Sequence, residues 1–384
     1  MKTQPARSRG RRALLGGATT VLVGLALAGG PGVGGCSAPF DPPSLVNTLR
    51  ILAITAAYAT PAPTEEVPDP EPDPGYGPFA KPGQIVHFEM ELVDGRDLDN
   101  FVPVTTVWLG GCFNPPGQQY YGCYEQFGPL FEGLQGDFSG NCTPDSFICV
   151  GTGDVPFDLA IPEDIVSSQP DPDYGPKYGI AYIFFMSCAG EIRPVSQEGD
   201  TVAGSFPLGC FDSEGRELGP DAFVPGYTQI YVFEDERPNP NPPVDGLVFD
   251  GQLREPDEVL EATVCPVTLE ERRKSGCAAT DEFTECGSID VDIAVPDDIA
   301  DEDPESKDAN GNILHEVVWV SYFATGGTFD TEVKLVNDAT TGIIEDRAVQ
   351  WVPPEEPGTY QIWAVTRDNR GGSSVVTHFV TVTE

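Results

Sequence analysis

Apolar and β-branched residues in this chain occur in short runs, separated by clusters of Pro, Gly, Asn and Asp. The runs Gln84 to Val93, Val104 to Leu109, Val317 to Ala324, Tyr360 to Thr366 and Ser374 to Thr383 predict β-strands, since a pleated strand sends successive side chains to opposite faces. Gly179 to Cys188 is the most apolar of them. It has strand length, well short of the roughly 18 apolar residues that a membrane-spanning helix needs. Leu49 to Ala57 fits either a helix or a strand by periodicity, and its β-rich surroundings favour a strand. One short helix is predicted among Cys265, Cys277 and Cys286, where Thr268 and Glu271 have capping-box spacing and Gly276 suits the end. Asn310-Gly311 and the segment from Asp368 to Gly372 carry hairpin-turn chemistry.

The pattern repeats. Asp158 to Ile165 (DLAIPEDI) returns as Asp292 to Ile299 (DIAVPDDI), the run from Tyr182 to Cys188 as Trp319 to Thr325, and Pro225 to Tyr231 as Pro357 to Trp363. The offsets of 134, 137 and 132 residues predict an internal duplication with changes in loop length. The expected organisation is a first domain over 45–235 with long insertions, a stiff Pro-rich joint over 236–243, and a second domain over 244–384. Regularly spaced short strands place the chain in the all-β class, as tandem β-sandwiches.

The closing segment sharpens this expectation. Pro357 to Gly372 (PGTYQIWAVTRDNRGG), followed by a Val/Thr-rich strand, resembles the last hairpin of immunoglobulin-like domains of the PKD and cadherin-like kind. The resemblance implies two immunoglobulin-like sandwiches, with an early Tyr of that strand packed at a corner. As a whole the chain resembles lipoproteins of myxobacteria and their relatives to which no activity is assigned, through its layout and phrases such as Arg237 to Asn241 (RPNPN).

The N-terminus bears on location. Residues 1–35 read as a signal peptide, with Lys2, Arg7, Arg9, Arg11 and Arg12 ahead of an apolar, Gly-rich stretch. Val33, Gly34 and Gly35 before Cys36 resemble a lipobox, which implies lipidation of Cys36 as the mature N-terminus and a short tether over 36–44. Arg11 to Leu15 also resembles a partial twin-arginine signal, so the export route is open. Two or three acyl chains anchor a protein stably, so the expected partner at this end is the membrane. Ser37 in place of a retention Asp points to the outer membrane of the cell envelope.

Charge narrows the partners. With 61 acidic and 21 basic residues, removal of the five basic residues in 1–35 takes the formal charge from −40 to −45. Phosphate binding requires a positive face, so nucleic acid is excluded. Hydrophobic content of 40% with 10% aromatics exceeds what a disordered acidic chain contains. Outside the cytoplasm the cysteines are expected in disulfides, with Cys112–Cys123, Cys142–Cys149 and Cys188–Cys210 as close pairs. Cys265, Cys277 and Cys286 cannot all pair, and the absence of Cys-x2-Cys spacing argues against zinc.

Catalytic signals are thin. His87, His315 and His378 are dispersed, and no nucleophile elbow, zincin motif or phosphate loop is present, so an enzyme is not expected. The only cofactor considered is calcium, for which Asp297, Asp298, Asp301 and Asp303, or Asp97, Asp99 and Asn100, supply oxygens without EF-hand spacing; solvated loops are the plainer reading. Tyr120, Tyr121, Tyr124 and Phe127 lie in a Gly/Pro-bearing insertion, where rings either stack on a sugar or partner or cover the end of a sandwich. The leading expectation is a tethered adhesion or scaffold module binding another envelope protein. The alternatives are a carbohydrate-binding surface protein and a hydrolase using carboxylates.

Overall fold

The computed structural model describes residues 41–384, except 60–76, 97–101, 124–126, 128–141, 145, 174, 195–207, 238, 269–270 and 272–284. The predicted signal, Cys36, Tyr124, Cys277, Asp97, Asp99 and Asn100 therefore lie outside the described residues. The fold is all-β. Among the described residues no helix is long and apolar enough to cross a membrane.

The described residues up to Phe233 form ten strands, eight of them in a first pair of sheets: β1 (Leu49–Ala59), β2 (Phe79–Ala80), β3 (Ile85–Asp94), β4 (Thr105–Phe113), β5 (Ile148–Thr152), β6 (Phe157–Ala160), β7 (Tyr178–Cys188), β8 (Glu191–Pro194), β9 (Leu208–Phe211) and β10 (Phe223–Phe233). A three-stranded sheet β1-β3-β6 faces a five-stranded sheet β2-β10-β7-β4-β5, and β8 and β9 form a separate hairpin. Between the sheets, alternate residues of each strand interlock: Val86, Phe88 and Met90 from β3 meet Ala181, Ile183 and Phe185 from β7 and Ile230 and Val232 from β10. Trp108 sits at the centre, fully buried. It stacks on Phe157 at 5.7 Å and donates its indole N–H to the Val155 carbonyl at 2.8 Å, so its one polar atom is satisfied.

The second pair repeats the plan. The strands here are β11 (Gly246–Phe249), β12 (Gln252–Leu253), β13 (Leu260–Thr263), β14 (Ile289–Ala294), β15 (Glu302–Lys307), β16 (Ile313–His315), β17 (Val318–Ala324), β18 (Thr328–Phe329), β19 (Val333–Asp338), β20 (Gly342–Ile343), β21 (Val349–Val352), β22 (Gly358–Asp368) and β23 (Ser373–Thr383), with β15 and β16 forming a hairpin of their own. Sheet β12-β11-β14-β21-β18 faces sheet β13-β23-β22-β17-β19-β20 around a core that includes Phe249, Val291, Tyr322, Trp351 and Val380. In each pair a short early strand runs parallel to the last one, β2 with β10 and β13 with β23. This is an immunoglobulin-like arrangement. The Tyr360 hydroxyl donates to the Glu356 carbonyl at 2.9 Å, the corner contact that the closing hairpin implied. Asp368 shapes the final turn, its Oδ1 accepting the backbone N–H groups of Arg370 and Gly372 at 2.8 Å each.

The matched segments of the sequence do not occupy matching places in this plan. Asp158 to Ile165 begins on β6, which pairs with β3 at a sheet edge, whereas Asp292 to Ile299 begins on β14, between β11 and β21. Tyr182 to Cys188 lies on β7, whose counterpart by pairing is β22 rather than β17, and β10 corresponds to β23 rather than β22. Every match is one strand out of step. What the first match does share is local: each strand runs into a turn in which Ile165 or Ile299 donates its N–H to the carbonyl of Pro162 or Pro296 at 3.3 Å, and both isoleucines are buried.

The stretch read as a stiff joint is built into a contact between the two sheet pairs, which belong to one compact unit over 41–384. Asn239 is fully buried. Asn241 donates to the Ala56 carbonyl of β1 at 3.0 Å and accepts the Ser373 N–H of β23 at 3.0 Å. Val46, Leu52 and Ala53 pack on Trp363 and Val365 of β22. The N–H of Val46 donates to Ala324 and that of Ala324 to Ser44, adding a parallel bridge beside β17.

The cysteine pairs 112–123, 142–149 and 188–210 form as the spacing predicts, and Cys265 pairs with Cys286. At the expected helix start, the Glu271 N–H donates to Thr268 Oγ1 at 3.3 Å, half of a capping box.

Candidate functional site

Strand β7 is buried along nearly its whole length because both its faces are covered. Ala181, Ile183 and Phe185 point into the sandwich core. Ile180, Tyr182, Phe184 and Met186 point the other way, into a second apolar layer with Val107 and Leu109 of β4. That layer is roofed by the loop after β4, by Phe127, and by Ile192 and Leu208 of the β8–β9 hairpin. The Cys112–Cys123 and Cys188–Cys210 disulfides tie this roof to the sheet.

The loop from Asn114 to Cys123 is held in an uncommon conformation. Asn114 and Gln118 both have left-handed backbone, φ 46° and 52°. Such conformations cost on the order of 1–3 kcal/mol each in non-glycine residues and persist only where surroundings over-determine them. The surroundings here are dense. Asn114 donates Nδ2 to the Ile165 carbonyl at 2.7 Å and accepts the Ile180 N–H at 2.9 Å. Gln118 accepts the Tyr178 hydroxyl at its Oε1 (2.7 Å) and the Tyr182 hydroxyl at its carbonyl (3.1 Å). Two short 3-10 turns, Pro116–Gln118 and Tyr120–Cys123, complete the loop. Opening it with the paired change Cys112→Ser and Cys123→Ser is expected to cost about 2–3 kcal/mol, measured by denaturant melts, and to expose the loop to limited proteolysis near Tyr120.

The loop delivers an aromatic platform. The Tyr120 ring stacks on Tyr227 of β10 at 4.5 Å and 18°, and Tyr121 meets Tyr120 edge-on at 5.8 Å. Tyr227 also touches the rings of Tyr182 and Phe184 beneath it, at 5.8 and 5.9 Å. Tyr121 and Tyr227 remain 56% and 45% exposed, which is high for large rings anchored in a rigid framework. Residue 226 must be glycine, since a Cβ there would lie 2.4 Å from the Phe185 ring in the core. Burial pushes the phenols of Tyr182 and Tyr231 up, further above the range in which they would ionise.

Of the aromatic residues singled out in the sequence, the three that are described thus separate. Tyr120 and Tyr121 are on the platform, whereas Phe127 is buried against Phe184 at 5.3 Å as part of the roof. Tyr227 escaped the sequence reading because it lies inside a strand pattern. Its signal was the alternation Pro225, Tyr227, Gln229, Tyr231, which puts polar and aromatic residues on one strand face.

The acidic candidates are not assembled. Asp297 and Asp298 are exposed in the turn after β14. The Asp301 N–H donates to Glu316 Oε2 at 3.2 Å, and Asp303 Oδ2 accepts the Ser306 hydroxyl at 2.7 Å. Among the described residues no three His, Cys, Asp or Glu side chains gather as a metal site. The histidines stay apart. His87 lies 2.6 Å from Asp158, whose hydrogen bond raises its pKa, while His378 is buried and its pKa lowered by burial. A cavity of about 430 Å³ between β3 and β23 is lined by Glu89, Glu91, Asp154 and Val375; burial raises the pKa of Glu91, which accepts the Trp363 indole N–H at 3.2 Å.

No protein-family model matches the chain, and no curated protein does. Among solved structures it is similar to dimeric latent PorU from Porphyromonas gingivalis, at 9% identity over 88% of this chain and 24% of that one, TM-score 0.18. It is also similar to the fibronectin(III)-like modules of Clostridium thermocellum CbhA, at 12% identity over 81% of this chain and 90% of that one, TM-score 0.18. A third is the C-terminal domain of the Streptococcus pyogenes antigen I/II-family protein AspA, at 9% identity over 86% and 99%, TM-score 0.18. This chain spans 24% of PorU's length. Likeness this distant assigns no relative and no activity, and the architecture rests on the hydrogen-bonded sheets themselves.

Proposed function

We propose that the protein is a non-enzymatic binding module of the cell envelope, lipid-anchored at Cys36, with the tyrosine platform as its adhesive face. One observation carries this reading: Tyr121 and Tyr227 stand exposed on a loop and strand that a disulfide and a set of hydrogen bonds hold in place. Rings fixed before binding lose little side-chain freedom on contact, so their area converts into affinity efficiently. An ordinary protein surface has no need of strained left-handed residues to display aromatic rings. Anchoring gives such a face its use, because a tethered binder meets its partner at high effective concentration.

The test is retention of isolated cell envelopes on beads carrying the full chain in mild detergent. Wild-type protein is expected to retain envelope material, and the Tyr121→Ser, Tyr227→Ser double variant to lose most of it while melting within about 4 °C of wild type. Equal retention by both proteins, or none by either, overturns the proposal.

A further inference from the structure

The segments that build the platform carry no charge of their own. The chain has 61 acidic and 21 basic residues, yet the three segments that build the platform contain no charged side chain: 114–123, the eleven residues of β7 and the eleven of β10. What they present instead is tyrosine rings, prolines and amides. Gln119 is exposed beside Tyr120, and Gln229 donates its Nε2 to the Tyr231 hydroxyl at 3.0 Å, which leaves its amide oxygen available. The face is also extended. Phe223, Pro225 and Tyr227 lie on one side of β10, a row about 13 Å long at the usual strand rise. Beyond Tyr227 this row borders an open groove of about 520 Å³ lined by Glu217, Leu218, Gly219, Pro220, Phe223 and Pro225.

Resting on the reading of this face as the binding surface, we infer that its ligand is a neutral polysaccharide, gripped along β10 with sugar rings packed against the exposed sides of Tyr227 and Tyr121. Ring faces attract the C–H bonds of a sugar, and the phenol and amide groups around them match its hydroxyls. The lack of charge decides the class. An anionic polymer would be repelled by the acidic surface around the site, and a basic partner would find no carboxylate on the strand and loop that carry the rings, only Glu217 in the groove beyond them. An open row suits a polymer, whereas a small sugar is normally enclosed in a pocket that buries most of its surface.

The experiment is affinity electrophoresis of the full chain in detergent, with gels containing a neutral β-glucan, a neutral galactomannan or the uronate polymer alginate, each at low and high salt. A neutral polymer is expected to retard the protein to the same extent at both salt concentrations. Tyr227→Ser and Tyr121→Ser should each weaken retardation about tenfold, the effect of losing one stacked ring. Tyr227→Phe, which keeps the ring, should retain it, and this variant separates ring loss from misfolding. Retardation by alginate as strong as by the neutral polymers, or retardation untouched by both Ser variants, overturns the inference. No retardation by either neutral polymer, with envelope retention intact, overturns the sugar assignment and leaves the binding face standing; loss of both overturns the two together.

Discussion

Replacing Arg370 by alanine is expected to lower unfolding free energy by about 3–5 kcal/mol near pH 7.5, because it strands a buried carboxylate. Glu316 is 2% exposed, and its Oε1 accepts from the Arg370 guanidinium at 2.8 Å. Burial and the neighbouring Asp368 carboxylate push Glu316 up to about 7, with Arg370 pulling the other way. Removing the guanidinium takes away that opposing charge, so the pKa rises further. The folded value already lies above the unfolded 4.5. The stability this group contributes is therefore complete below 4.5 and lost as pH rises through about 7. The deficit of the variant should accordingly be largest at pH 8 and shrink toward pH 5, and adding Glu316→Gln should recover most of it. Urea melts across that range measure both effects. A deficit independent of pH would mean that the loss comes from packing, since the Arg370 guanidinium also lies over the Phe79 ring at 4.8 Å.

Trp363→Ala should cost a similar amount, about 3–5 kcal/mol. The ring is 1% exposed where the two sheet pairs meet, packed with Val46, Leu52, Ala53 and Val365, and its indole N–H donates to Glu91 at 3.2 Å. Neither sandwich core contains it. Its removal should therefore loosen the junction and leave both cores intact, broadening the unfolding transition or splitting it in two. Calorimetry is the check. A single sharp transition at a lower Tm would show instead that the two sheet pairs unfold together without this contact.

Both residues illustrate where sequence reasoning stops. Local features were legible: the alternation in β3 and β23, the Asp368 turn, and three cysteine pairs separated by 11, 7 and 22 residues. Each depends on neighbours in the chain. The place of a strand within its sheet was not legible. An apolar strand such as β7 or a fragment such as β17 reads alike in any interior slot, so the repeat aligned β7 with β17 when pairing sets it against β22. Contacts far apart in the chain were invisible too. Asn241 looked like part of a Pro-rich joint, but its partners Ala56 and Ser373 lie 185 and 132 residues away. The platform was half readable: Tyr120 and Tyr121 stood out as neighbours in a loop, while Tyr227, which completes the stack, comes from a strand 107 residues later.

An adhesive face matters to a cell only if the protein is held at its surface, so the decisive measurement is the mass of the N-terminal peptide released from membranes of cells that produce the protein. The expected result is a peptide beginning at Cys36 and carrying a diacylglyceryl group, with residues 1–35 gone. A peptide still containing Lys2 to Gly35, with an unmodified Cys36, would contradict the anchored module proposed above.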